Sequence, residues 1–220
     1  MEQLTSWLID YGFTREILMF ILYIPVIATI VNASRYLVGM KMFGVYAPVV
    51  LAFAYVFTGL RFGLLVTVAV ILATLLTYSL LRKIRMHYLS RIAINYTVIS
   101  FFIIGIILLN EISPIQVTSE YYALKQVTPL GLVLIATLSD FFIKQYVKKS
   151  LLTTMRSLIE TIVIAVVGWW LLSLRNGAFG DFVMTQIWIY PVIIIFNIII
   201  GQFVGLRLKD FSRFKRVWQN

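Results

Sequence analysis

Cysteine is absent from the 220 residues, and histidine occurs once, at His87. Without cysteine the chain forms no disulfide and offers no thiolate nucleophile. A single histidine excludes a zinc site that needs two or more imidazoles. No nucleophile is paired with a base, and the stretch GMKMFG lacks the spacing and the Lys-Ser/Thr pair of a nucleotide-binding glycine loop. We therefore expect no catalytic site, no cofactor and no metal, and predict that the protein is not an enzyme.

Charged residues are also scarce, at 13% of the chain, whereas a soluble domain has about 25%. Hydrophobic residues make up 61%, and the mean hydropathy is +0.94. So much apolar surface has to face lipid, which predicts an all-α, polytopic membrane helix bundle. The net charge of +10 is better explained by basic cytoplasmic loops than by nucleic-acid binding, because no basic and aromatic surface lies outside the apolar runs.

Apolar runs predict about seven transmembrane helices, since a spanning helix needs about 20 residues. The second and fifth runs are short, and each has a proline near its start, Pro48 and Pro129. The predicted spans are 17–38, 45–60, 62–81, 92–109, 127–143, 158–174 and 187–206.

Lysine and arginine orient these predicted helices. With the N-terminus outside, only Arg15, Arg61, Lys125 and Arg175 of the 19 basic residues fall in outer segments. Cytoplasmic loops carry an excess of Lys and Arg, so this distribution predicts an outside N-terminus and an inside C-terminus. The predicted organisation is an outer-surface segment at 1–16, a seven-helix membrane domain at 17–206 and a basic cytoplasmic tail at 207–220.

The stretch RYLVGMKMFGVYAPVV interrupts the apolar pattern after the first predicted helix. A charge at the membrane centre is costly, so Arg35 is expected at the inner interface or facing the bundle interior. Gly39 and Gly44 allow a non-helical backbone, and Pro48 cannot donate an amide hydrogen bond. These residues predict an unwound segment that leads into a short helix beginning near Val45.

A similar pattern, VTPLGLVLIATLSDFF, opens the fifth span. Short helices interrupted by proline and glycine at matching places in two halves are typical of transporter sites, so we predict an inverted repeat that matches spans one to three with spans four to six. Free amides at two helix starts would favour an anion, such as a carboxylate-bearing substrate or polymer. The alternative is that both segments are ordinary turns whose cations reach the interface. The predicted site comprises Arg35, Gly39, Lys41, Gly44, Pro48, Pro129, Gly131 and Asp140.

Two carboxylates lie near the inner ends of predicted helices, Asp140 in span five and Glu160 in span six. Such residues can couple transport to an ion. They can equally neutralise neighbouring cations such as Lys144 and Arg156, and we favour this interpretation.

Two further sets of residues carry predictions about packing and partners. Of the two GxxxG pairs, Gly59–Gly63 spans a predicted turn, so only Gly201 and Gly205 are expected to bring helices together. The basic tail is expected to rest on anionic lipid, or else to bind a cytoplasmic partner. The candidate partner-binding residues are Arg82, Lys83, Arg85, Arg207, Lys209, Arg213, Lys215 and Arg216.

The broken stretch and the closing IIGQFVGLRLKDFSRF resemble the bacterial seven-helix membrane domain that is usually fused to an inactive transglutaminase-like domain. The resemblance covers roughly residues 17–214. It implies a multi-pass protein of the bacterial inner membrane. No transglutaminase-like domain lies within these residues, so that domain is expected to be a separate subunit or absent. The matching residues are Arg35, Gly39, Lys41, Phe43, Gly44, Pro48, Leu51, Ala52, Thr58, Gly59, Leu60, Gly63, Arg91, Ala93, Thr97, Gly201, Gly205, Leu206, Arg207, Leu208, Arg213 and Phe214.

The paired short helices are also similar, more weakly, to the small membrane subunit (C subunit) of capsular poly-gamma-glutamate synthases. That resemblance implies an ATP-grasp-type amino-acid ligase as partner and an anionic peptide polymer as product. The expected function is a non-enzymatic membrane subunit linked to synthesis or export of such a polymer. The alternatives are an anchor or scaffold for an extracytoplasmic transglutaminase-like partner, and an autonomous small-molecule transporter.

Overall fold

A computed structural model describes residues 7, 11–12, 14–112, 129–186 and 188–202. Within these ranges the chain is helical and has no strand, which confirms the all-α prediction. A π-helical turn, Ser34–Val38, follows α1, and a 3-10 turn, Leu174–Asn176, follows α6. The helices are α1 (Arg15–Ala33), α2 (Tyr46–Thr58), α3 (Leu60–Leu81), α4 (Tyr88–Ile112), α5 (Pro129–Tyr146), α6 (Leu151–Ser173), α7 (Ala178–Thr185) and α8 (Ile189–Gly201).

Each of the seven predicted spans overlaps one of these helices, and α7 is additional. Among the described residues, four segments can cross a membrane by length and composition, and α7 with α8 forms a fifth candidate that is sharply bent. The four are Arg15–Val38, Leu60–Leu81, Tyr88–Leu108 and Leu151–Ser173. The predicted polytopic membrane architecture is therefore confirmed. Helix α2 has only 13 residues, as expected for a short second span.

The chain divides into two compact units. One comprises Met1–Ala52 and Arg156–Asn220, and the other comprises Phe53–Met155. This division does not separate spans one to three from spans four to six, so the inverted repeat stays a prediction.

In the first unit, α6 closely approaches the helices beside it at a glycine. A Cβ atom added to Gly168 would lie 2.8 Å from the Ala52 Cβ and 3.2 Å from Ile27 Cγ2. Ala52 and Ile27 are themselves buried. The absence of a side chain at Gly168 is thus what allows these three helices to pack at this level.

In the second unit, α3 packs against both α4 and α5. Two glycines make close approaches here: an added Cβ would lie 2.6 Å from the Tyr55 ring at Gly63, and 2.6 Å from Thr58 Cγ2 at Gly131. Gly59, with φ +76°, lies between α2 and α3, so it forms the predicted turn. The expectation that the Gly59–Gly63 pair would not bring helices together was wrong for Gly63. Its ring contact involves a residue eight positions earlier, which a GxxxG count does not reveal.

The orientation can be tested directly, because a chain without cysteine accepts a single engineered thiol as a unique label. Gln186 and Lys148 are both exposed and lie at opposite predicted faces of the membrane. We expect a membrane-impermeant maleimide to label Gln186→Cys in right-side-out spheroplasts, and to label Lys148→Cys only after permeabilisation. The reverse pattern would mean that the N-terminus is inside.

Candidate functional site

The interruption between α1 and α2 has the backbone that its glycines predict. The π-helical turn Ser34–Val38 ends at Gly39, whose φ is +83°, and Gly44 has φ +80°. Left-handed backbone of this kind is readily adopted by glycine. Helix α2 then begins at Tyr46, which confirms the predicted start near Val45. Pro48 lies in the first turn of α2, where a helix has unpaired amides in any case, so it begins the helix and does not break it.

Two side chains of α6 hold this loop. The Lys41 backbone amide donates to a carboxylate oxygen of Glu160, and the Phe43 amide donates to Thr161 Oγ1 at 3.1 Å. The Thr161 hydroxyl in turn donates to the Ser157 carbonyl at 2.7 Å. Phe43 is buried beside this contact. Glu160 and Thr161 thus form a clamp that satisfies two backbone amides outside any helix.

The charges around the clamp are not those expected of an anion-binding site, because a carboxylate, Glu160, lies at its centre. Arg35 and Lys41 are exposed, and within the described ranges neither forms an ion pair. Glu160 lies 3.6 Å from Arg156 Nε, one of the cations expected to neutralise it. The Lys41 and Phe43 amides, which precede the start of α2, therefore bind a carboxylate and a hydroxyl of the chain itself.

The other half of the predicted site belongs to the Phe53–Met155 unit. Pro129 is the first residue of α5, so it too begins its helix; the residues before it lie outside the described ranges. Gly131 packs against the end of α2 through Phe57 and Thr58. Asp140 accepts a hydrogen bond of 3.3 Å from the Tyr96 hydroxyl of α4, a partner that the sequence did not indicate.

A hydrogen-bond network joins α1 to α8 in the first unit. Asn32 Nδ2 donates to Asn197 Oδ1 at 2.8 Å, and Asn197 Nδ2 donates to Thr29 Oγ1 at 2.7 Å. The Thr29 hydroxyl in turn donates a hydrogen bond of 2.8 Å to the Pro25 carbonyl. Asn32 and Asn197 thus act as interhelical hydrogen-bond partners, which is the usual role of asparagine inside membrane helices.

Replacing either asparagine of this network should loosen α8 from α1. We expect Asn32→Leu and Asn197→Leu each to destabilise the protein by about 1 kcal/mol, with a coupling energy of about 0.6 kcal/mol between them, because both remove the same interhelical bond. Thermal unfolding of the two single variants and the double variant in mild detergent measures these terms. Fully additive effects would show that the bond does not couple the helices.

A folded region at the N-terminal end of α1 was not anticipated from the sequence. The short helix α7 contacts α1 there through an exposed ion pair between Arg15 and Asp181. Met184 of α7 packs on Leu18 and Met19. We call this region, formed by the first two turns of α1 with the 3-10 turn and α7, the outer platform. Its position relative to the membrane follows from the predicted orientation.

The predicted partner-binding residues are only partly described. Arg82, Lys83 and Arg85 are exposed in the connection between α3 and α4. A Cβ at Gly201 would meet no described atom within 4 Å, so its predicted packing role has no contact to support it here. Six predicted residues lie outside the described ranges: Gly205, Arg207, Lys209, Arg213, Lys215 and Arg216. Of the predicted outer-surface segment at 1–16, the structure describes Trp7, Tyr11, Gly12 and residues 14–16, and the Trp7 and Tyr11 rings lie 4.5 Å apart.

Comparison with known proteins adds one finding. A family model described as seven transmembrane helices usually fused to an inactive transglutaminase matches residues 13–218. No curated protein and no solved structure matches the chain.

Proposed function

Because the chain belongs to this family of seven-helix membrane domains that are usually fused to an inactive transglutaminase, we propose that it is a non-enzymatic anchor or scaffold for an extracytoplasmic transglutaminase-like partner. The family match carries this proposal, since the membrane domains of this family are usually fused to an inactive transglutaminase. A bacterial inner-membrane location follows from the same proposal.

The outer platform supports an anchoring role. Under the predicted orientation it lies on the extracytoplasmic side, and it is fastened to α1 by an ion pair and by apolar packing. Phe182 of α7 is 53% exposed and follows Asp181, the acidic member of that ion pair, in the chain. Exposed aromatic residues next to charges are typical of protein interfaces, where aromatic side chains supply much of the binding energy.

The alternative is a subunit linked to an anionic peptide polymer and an ATP-grasp-type ligase. In that role Arg35 and Lys41 would attract the polymer. The clamp weighs against it, because Glu160 places a carboxylate beside the Lys41 amide. A fixed negative charge there repels an anionic ligand beside Lys41. The anchor proposal therefore expects Arg35→Gln with Lys41→Gln to leave partner binding unchanged, whereas polymer export would be lost in that variant if the alternative holds.

The experiment that tests the anchor proposal is purification of the full chain from its own host in mild detergent, with identification of what accompanies it. We expect a transglutaminase-like protein. A ligase in its place would support the polymer-linked role. Neither partner, together with solute uptake by the reconstituted protein alone, would support an autonomous transporter.

A matched pair of variants tests whether the partner binds at the outer platform. Phe182→Ala in the outer platform should reduce recovery of the partner about tenfold or more, as expected for an interface residue that contributes about 1.4 kcal/mol or more. Phe101→Ala is the control, since Phe101 is also an exposed phenylalanine but lies within α4 of the other unit. Equal recovery with both variants would place the interface elsewhere, for example at the predicted outer loop 110–126.

A further inference from the structure

An aspartate without a countercharge lies between two helices of the Phe53–Met155 unit. Asp140 Oδ2 accepts the hydrogen bond from Tyr96, while Oδ1 is buried and has no hydrogen-bond partner among the described residues. The described part of the chain also contains no ion pair to Asp140. Ionisable groups inside membrane helices are costly and rare, so a carboxylate that is neither paired nor fully hydrogen-bonded points to a function.

Two fully buried polar side chains are the chain neighbours of Tyr96 and Asp140. Asn95 precedes Tyr96 on α4, Ser139 precedes Asp140 on α5, and both are 0% exposed. Within the described ranges, the side-chain amide of Asn95 has no hydrogen-bond partner at either Oδ1 or Nδ2. The Ser139 hydroxyl has none either. Buried polar groups in folded proteins are almost always hydrogen-bonded. Asn197 in the other unit shows the usual arrangement, with both of its amide atoms bonded.

Contacts at one end of the three helices place these groups at a common depth. The Arg91 guanidinium lies 5.8 Å from the Tyr78 ring of α3, and the Tyr78 and Tyr146 rings lie 4.9 Å apart. Asn95 is four residues after Arg91 on α4, and Asp140 is six residues before Tyr146 on α5. Both lie on the same side of the level that these ring contacts define. At 1.5 Å per residue these are rises of about 6 and 9 Å, so Asn95, Ser139 and Asp140 lie within about one helical turn of each other in depth.

The unpartnered atoms suit a cation of single charge. Asp140 Oδ1, Asn95 Oδ1 and Ser139 Oγ are oxygen acceptors, the ligand type that hard metal cations prefer. One carboxylate balances one positive charge, and no group of three His, Cys, Asp or Glu residues able to hold a metal ion occurs in the described ranges. We propose that Asp140, Asn95 and Ser139 bind a monovalent metal cation within the membrane, a role independent of the proposed anchor function.

The test uses the purified full chain in mild detergent and sodium as the probe. A ligand that binds only the folded protein raises its melting temperature with its concentration. We expect sodium chloride to raise the Tm in a saturable manner relative to choline chloride at equal ionic strength. Potassium chloride in a parallel series shows which of the two ions is preferred. The same Tm in sodium, potassium and choline chlorides would overturn the proposal.

Variants assign the effect to the site. Asp140→Asn keeps the size of the side chain and removes its charge, so it should abolish the cation-dependent rise in Tm. Asp181→Asn, which alters an exposed aspartate of the outer platform, should retain it. Ser139→Ala should weaken the apparent sodium affinity by about tenfold, as expected for the loss of one ligand. Loss of the rise in both aspartate variants, or in neither, would contradict the assignment.

A direct measurement covers the case in which Asp140→Asn does not fold. Equilibrium dialysis of the unaltered protein with radioactive sodium should show saturable binding that excess choline does not displace. Binding that does not saturate, or that choline displaces equally well, would overturn the proposal without any variant.

Discussion

Gly168→Leu should prevent stable folding, whereas Gly105→Leu should not. A side chain at Gly168 would begin 2.8 Å from the Ala52 Cβ, an atom fixed to the backbone of α2, so relief requires the helices to separate. Overpacking of this kind costs about 3 kcal/mol in a tightly packed interior, which is a large part of a typical protein's stability. The measurement is the yield of monodisperse protein after extraction in mild detergent, followed by thermal unfolding.

Gly105 is the matched control because it is also a glycine within a long membrane helix. A Cβ at Gly105 would meet no described atom within 4 Å. Replacing it should be neutral or should stabilise α4 by up to about 1 kcal/mol, since glycine is a poor helix former. If Gly168→Leu unfolded at the same temperature as Gly105→Leu, the three-helix contact at Gly168 would not be part of the folded protein.

Features of the fold that depend only on residues close together in the chain were predictable from the sequence. The lengths of the apolar runs predicted a helix in every span, and Gly39 and Gly44 indicated a non-helical backbone before α2, which is left-handed at both glycines. Both properties are local, because hydropathy and the allowed φ of glycine do not depend on tertiary contacts. The short helix α7 was missed, because eight residues are too few for a periodic pattern to be told from that of a loop.

The candidate site depended on contacts between residues far apart in the chain, and most of these were not predictable. Lys41 and Glu160 are separated by 119 positions, and Tyr96 and Asp140 by 44. A single sequence contains no signal for such pairs. The sequence did indicate that Asp140 and Glu160 were unusual, because carboxylates within apolar helices are rare. It could not indicate that one would bind a backbone amide and the other a tyrosine.

Glycine packing shows the same limit. The GxxxG spacing is a weak guide because close approach depends on what faces the glycine, and a GxxxG count cannot show this. Gly63, Gly131 and Gly168 have close neighbours, whereas nothing described lies near Gly201. Of these, Gly131 and Gly168 belong to no GxxxG pair.

Removing the clamp should destabilise the loop between α1 and α2 more than removing a comparable polar side chain elsewhere. In the double variant Glu160→Ala with Thr161→Val, the amides of Lys41 and Phe43 lose their acceptors. A buried amide left without a partner costs about 1–3 kcal/mol, so the loss for the pair is about 2–6 kcal/mol, reduced wherever water reaches the exposed Lys41. Thermal unfolding in detergent, together with protease cleavage of the loop, would detect both the loss of stability and the release of the segment.

Two further variants separate the contributions of the clamp. Thr97→Val is a control, because the Thr97 hydroxyl donates only to the Ala93 carbonyl within its own helix, so its removal should change stability by less than about 0.5 kcal/mol. Glu160→Gln retains an acceptor for the Lys41 amide but loses the charge that pairs with Arg156. If Glu160 acts as a backbone acceptor, Glu160→Gln should remain close to the unaltered protein while Glu160→Ala is destabilised. Equal destabilisation by both would mean that the carboxylate charge, and not the hydrogen bond to the loop, is what the protein requires at this position.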